Sequence, residues 1–363
     1  MTTDLHTRLR AADPARDVQG YADAELTRRA HAILAAPGDG RSPVESRRSR
    51  PRRLLLAVPV AAAVAAVLVV APSLTGSRGG ASAEAAALLN TAASSITTVD
   101  PAARPGQWWE VTTTGFNLAT FGTSKADPTT VTILEGRSST QYVAVDGTRP
   151  TVTVSGPATL VRQLTGDPVT AADLHEQLTS TTETSTSNLA PNDVPGTWQT
   201  PNAAFLAALP RDPQALRQRL YDDTAGHGRS TDGEVVVYVA DVLRSGLVPA
   251  DLRAALYRVL ATVPGVEVTA RRAAIGTDSG VAFGRYESVD GTRQEIVIDT
   301  ATGDLVGERE VAVTALDGIP AGTVIGQTAV TRVLVDAVPA ATVAAATVYQ
   351  CGVSADGATQ CTG

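Results

Sequence analysis

Histidine is scarce in this chain, and none of the few present sits in a recognisable catalytic pattern. Four histidines occur in 363 residues. His6 and His31 are too few and too far apart to suggest a metal site. His175, in "ADLHEQL", and His227, in the Gly-flanked "AGHGRS", read as exposed residues. There is no GxSxG elbow, no HExxH pair and no phosphate-binding loop, so the sites those motifs build have no residues to make them. Carboxylates are plentiful, yet no spacing singles out a pair for acid–base work. No cofactor motif appears, and the reading is non-enzymatic.

Cysteine is rarer still. Cys351 and Cys361 are the only two, in "YQCGVSADGATQC". Two thiols with no histidine near them do not make up a zinc site. In an oxidising compartment they suggest a disulfide across a short, turn-rich loop, with free or redox-active thiols as the alternative. Closing such a loop would stabilise the fold by about 2.5–3 kcal/mol on the chain-entropy estimate. Lysine occurs once, at Lys125, a bias towards arginine that fits a GC-rich genome better than any chemistry.

Positive charge is short beyond residue 53. Residues 54–363 hold nineteen Lys and Arg against thirty Asp and Glu, a net of −11. Residues 1–53 hold eleven against seven, a net of +4. The acidic part lacks the clustered cations that phosphates need, which excludes a nucleic-acid binder.

The sequence does have one long apolar run. From Leu54 to Leu74, 18 of 21 residues are Ala, Val or Leu, and no charge falls between Leu54 and Ser77. A helix of that run would reach about 32 Å, matching a hydrocarbon core of about 30 Å. The polar stripe of a soluble-domain helix is missing. Arg47, Arg48, Arg50, Arg52 and Arg53 precede the run, so the positive-inside rule leaves the N-terminus in the cytoplasm. The expected division is a short cytoplasmic arm over 1–53, a single transmembrane helix over 54–77 and an extracytoplasmic domain over 78–363. A split of that domain into two lobes near residue 200 stays open. A cleavable export signal ending at Ala81-Ser82-Ala83, cut after Ala83, is the alternative. Its n-region would exceed fifty residues, and the apolar run is longer than such signals carry.

Within the arm, Leu26, Ala30, Ile33 and Leu34 recur at helical spacing before "PGDG" ends the pattern. Leu26, Ile33 and Leu34 are the candidate contacts of an amphipathic helix, residues 22–35, that would lie in a groove of a cytoplasmic partner. A tail that only sets topology is the alternative.

After "TGSRGGAS" a helix is expected from Ser82, an N-cap residue, with Leu88, Leu89, Ala92, Ala93 and Ile96 on one face. The period then changes to two in "QWWEVTTTGF", "TTVTILEG", "STQYVAVDGTR" and "PTVTVSG". "VDGTR" occurs at 145–149 and 289–293, where Asp-Gly signals tight hairpins. Residues 178–198 read as a strand fading into a Pro-punctuated loop. A helical block follows in "PRDPQALRQRLYDD", "DGEVVVYVADVLRSG" and "PADLRAALYRVLATV", with Pro213 and Pro249 expected in first turns. Strands then resume, with Thr302-Gly303-Asp304 at another hairpin. This order predicts an α+β domain, an antiparallel β-sheet packed on helices.

The arginine-flanked span, the Ala-rich helix, "GQWWEV", "LPRDPQALRQRLYDD" and "IVIDTATGDLVGERE" together resemble a family of actinobacterial single-pass membrane proteins. These are often encoded beside sigma factors of the extracytoplasmic-function type. The outer domain is more distantly similar to the LolA/RseB-like half-barrel, whose sheet wraps around helices and offers an apolar concavity. The resemblance implies a membrane-anchored regulator with a ligand- or protein-binding domain outside and a sigma factor as the cytoplasmic partner. The alternative is an envelope lipid or lipoprotein carrier whose arm only sets topology. One departure is plain: residues 1–53 lack the His-x3-Cys-x2-Cys motif of zinc-type anti-sigma domains.

Overall fold

The computed structural model describes residues 80–96, 100–122, 130–179, 181–354 and 359–362. The first helix, α1 (Ala83–Ser95), begins where Ser82 caps it, its hydroxyl accepting from the Ala85 N–H at 3.2 Å. Ala85, Leu89, Ala92 and Ala93 form its buried stripe. Two long strands follow, β1 (Trp108–Phe121) and β2 (Val131–Ala144), then the short β3 (Val152–Ser155), β4 (Thr159–Thr165) and β5 (Glu183–Ser187).

The helical block comprises α2 (Ala203–Ala208), α3 (Pro213–Asp223), α4 (Thr231–Arg244) and α5 (Ala250–Leu260). Pro213 occupies the first turn of α3 behind the Asp212 cap. Pro249 does not enter α5; it stands at the N-cap in an extended conformation. With no side chain there to accept, the orphan N–H of Ala250 is taken by the Asp100 carboxylate at 2.7 Å.

Five further strands, β6 (Glu267–Ile275), β7 (Asp278–Glu287), β8 (Thr292–Asp299), β9 (Asp304–Ala312) and β10 (Val324–Val335), run as successive antiparallel neighbours. The second "VDGTR" and the Thr302-Gly303-Asp304 turn join β7 to β8 and β8 to β9. Gly303 holds a left-handed φ of 74°, and its carbonyl accepts from the buried Tyr257 hydroxyl of α5 at 3.2 Å. A Cβ there would collide with Ile96 and the Ala92 carbonyl. The turn is thereby docked on α1 and α5. A last helix, α6 (Ala340–Ala345), leads to β11 (Thr347–Val353) and β12 (Thr359–Thr362).

All twelve strands among the described residues belong to one sheet, in the order β12-β11-β5-β3-β2-β1-β10-β9-β8-β7-β6, with β4 joined to β2. β1 pairs with β2 along its whole length and with β10 over Trp108–Phe116. The other edge of β2 is shared, residues 132–136 facing β4 and residues 139–142 facing β3. The main core lies between the helices and one face of β7 and β8. Leu216, Leu220, Val239, Leu252, Leu256 and Tyr257 meet Phe283, Ile296 and Ile298 there.

The structure corrects the expected fold class. Among the described residues a single large mixed sheet dominates, with few helices, instead of an antiparallel half-barrel. The sheet is mixed because the chain returns through α6 and lays β11 parallel to β5. Period-two patterning marks a strand but carries no information on the direction of its neighbour. No helix among the described residues is long and apolar enough to cross a membrane. The run 54–77 and the arm, with Leu26, Ile33 and Leu34, lie outside the described residues.

Leu256 is fully buried at the helix–sheet contact. Leu256→Ala should cost about 2–5 kcal/mol, the sum of lost transfer energy and a residual cavity. Urea unfolding followed by circular dichroism measures it, as a lower midpoint at unchanged slope.

Candidate binding site

The larger cavity, about 560 Å³, opens over the helix-facing side of β1 and β2. Val111, Thr113, Ser139, Gln141 and Val143 line it from those strands, and their alternation places them on one face. Residues of the segment 187–202 form a second wall, the end of α4 a third, and Thr359, Cys351 and Cys361 a fourth.

Asparagines hold the 187–202 wall. Asn202, buried, caps α2 by accepting from the Phe205 N–H at 2.7 Å. Its amide donates to the carbonyls of Pro191 and Val194 at 2.8 and 2.9 Å. Asn192 donates to the Asp146 carbonyl at 2.8 Å, tying this wall to the "VDGTR" turn after β2. Asn188 receives the Cys351 N–H at 2.6 Å and donates to the Cys351 carbonyl at 3.1 Å. Behind the wall, the Trp198 indole N–H donates to Asp223 at 2.8 Å, and its ring meets Phe205 edge-on at 5.4 Å.

The cysteines expected to pair do so. Cys351 and Cys361 form a disulfide directly across the β11–β12 ladder, with Cα atoms 4.0 Å apart.

Charge enters the cavity at one place. Arg244, in the last turn of α4, pairs with Asp241 on its own helix and with Glu308 of β9, which also accepts from Gln294 at 3.2 Å. Burial pushes both Glu308 and Asp241 above the ordinary carboxylate range, against the opposing pull of Arg244. Burial also works to lower Arg244, but Glu308 and Asp241 more than offset it. The guanidinium is held by its partners and remains partly open to the cavity. The rest of the lining is hydroxyl, amide and aliphatic, with Thr113, Ser139, Gln141 and Gln199 lacking internal side-chain partners among the described residues. Such a surface can hydrogen-bond a ligand in its backbone or hydroxyl groups while burying aliphatic parts.

A second cavity, about 420 Å³, lies at the other end of α4, among Arg229, Glu234, Arg285, Glu287 and Asp290. Ser230 caps α4, accepting from the Gly233 N–H at 3.1 Å, and donates to Glu287 at 2.6 Å. That hydrogen bond, helped by Arg285 at 2.9 Å and opposed by burial, lowers the Glu287 carboxyl. With its hydroxyl committed on both sides, Ser230 acts as a cap and not as a nucleophile. Gln294 lines this cavity and donates to Glu308, the carboxylate that Arg244 meets at the other end of α4.

His175 and His227 are both exposed and line neither cavity. Among the described residues no three His, Cys, Asp or Glu are grouped to hold a metal. Compared with known proteins, the chain matches no family model, no curated protein and no solved structure. The cavity residues were not legible in the sequence because they come from several separate segments. The run of Asn and Pro over 188–202 was the one signal that this loop is built and not merely polar.

Glu308 holds a proton more tightly when folded than at its ordinary value of 4.5. Its contribution is therefore complete below that value and is lost as pH rises through the folded pKa. Wild type should lose stability relative to Glu308→Gln as pH rises above 4.5. Parallel denaturation curves of the two proteins across that range read the difference.

Proposed function

We propose that this chain is a non-enzymatic regulator of the cell envelope. Residues 80–362 bind a ligand or protein outside the cytoplasm, and the arm of residues 1–53 contacts a cytoplasmic partner such as a sigma factor. The observation that carries the reading is the 560 Å³ cavity, with unpartnered hydroxyls and amides on its floor and walls. The Cys351–Cys361 disulfide suits an oxidising compartment. The arginine cluster before the apolar run supports a membrane location with the arm inside. Signalling between the two sides would work through oligomerisation, proteolysis near the membrane or release of the arm.

The reading as a lipid or lipoprotein carrier has less support. An acyl chain wants a lining without unpaired polar groups, and Thr113, Ser139, Gln141 and Gln199 all face this cavity.

The test compares full-length protein with a deletion of residues 1–45 that keeps the arginine cluster. Both are captured from detergent-solubilised native membranes, and bound proteins and lipids are identified by mass spectrometry. A cytoplasmic transcription protein enriched only by the full-length chain is the expected result. Identical protein lists would make the arm a topology signal alone. Stoichiometric lipid on both forms would favour the carrier.

A further inference from the structure

We propose that the Cys351–Cys361 hairpin is a redox-releasable wall of the larger cavity, so that a dithiol opens the cavity without unfolding the sheet. The inference rests on the reading of that cavity as the binding site.

Placement comes first. Cys351, Cys361 and Thr359 line the cavity together with Ser139, Gln141 and Ser187. The bond is therefore part of the wall and not a remote staple.

Attachment comes second. All four residues of β12 are exposed, and among the described residues β12 pairs with β11 alone, through Gln350–Val353. β11 in turn joins the sheet through three residue pairs, Thr347–Tyr349 beside Ser185–Ser187 of β5. Asn188 adds its two bonds to the Cys351 backbone and donates its own N–H to the Tyr349 carbonyl at 3.1 Å. A four-residue ladder with no buried face is marginal in water, so the disulfide is what keeps β12 in register.

The third observation is what the hairpin does not touch. No residue of β11 or β12 contributes to any of the five apolar clusters. Releasing the hairpin uncovers cavity and leaves the helix–sheet core intact.

The chemistry is thiol–disulfide exchange with an external dithiol. Cys361 is exposed, so one thiolate of the dithiol attacks its sulfur. The Cys351–Cys361 bond breaks, a mixed disulfide forms on Cys361, and Cys351 leaves as a thiolate. The second thiolate of the reductant then attacks its partner sulfur, displaces Cys361 and closes its own disulfide. Two electrons pass to the protein, and each released thiolate takes up a proton from water. Oxidation reverses the step and closes the wall.

Amide hydrogen exchange of the full-length protein tests this without knowledge of any ligand. It is read by mass spectrometry on oxidised protein, on protein treated with dithiothreitol and on the Cys351→Ser/Cys361→Ser variant. Exchange over residues 347–353 and 187–202 should quicken by about tenfold or more in the reduced and variant forms, with β1, β2, α4 and α5 unchanged. Unchanged exchange in the hairpin would overturn the proposal. Loss of protection across β1 and β2 would overturn it too, because the bond would then hold the fold and not a wall. The readout needs no bound molecule, so its failure is distinct from failure of the cavity to bind.

Discussion

Strand β1 is the constraint on which the rest of this molecule depends. Its two edges join β2, which follows it in the chain, to β10, which comes after the entire helical block. Break that strand and the β6–β10 half loses its connection to the β2–β5 half. Charges and rings reinforce the junction: Arg332 of β10 lies 4.2 Å over the Trp109 ring and pairs with Asp100 at 2.6 Å. Asp100 is also the residue that starts α5, so one carboxylate ties the sheet junction to the helical layer. Such shared groups couple energetically, and their substitutions should not add independently.

The cavity follows from that junction. No residue of β1 or β2 belongs to the main helix–sheet core, and part of their helix-facing side is covered by loops. The 187–202 segment and the terminal hairpin cover it with backbone held by asparagine amides. A loop brought against a sheet must satisfy its N–H and C=O groups: Asn202 takes two carbonyls of the loop itself, while Asn188 and Asn192 tie the loop to the carbonyls of Cys351 and Asp146. The result is a polar, partly open recess where a helix would have given a dry contact.

Buried charge marks the boundary between recess and core. Glu308 and Glu295 both sit on β9's neighbourhood of the sheet, on opposite faces, and each is met by arginine: Arg244 for Glu308, Arg293 and Arg309 for Glu295. Pairs of this kind give little net stability, since desolvation offsets attraction, yet they tolerate few alternative registers. That selectivity suits a sheet of twelve strands, in which a one-residue slip would reverse every face.

Much of the local structure was legible from residue order alone. Ser82 as a cap, Pro213 in a first turn, the turns at Asp290-Gly291 and Thr302-Gly303, and the Cys351–Cys361 bond follow from short-range chemistry, which the sequence displays directly. Pro249 misled because the carboxylate that substitutes for its missing cap, that of Asp100, lies 150 residues before the Ala250 N–H it accepts from. The same reason separates what the sequence by itself determined from what only the tertiary structure decided. Periodicity dictates where strands and helices form, because it acts between residues a few positions apart. The neighbour and direction of each strand, the parallel seating of β11 on β5 and the walls of the cavity depend on pairings between distant segments. Those are chosen by burial and hydrogen-bond satisfaction of the whole sheet, a balance that no single stretch of sequence contains.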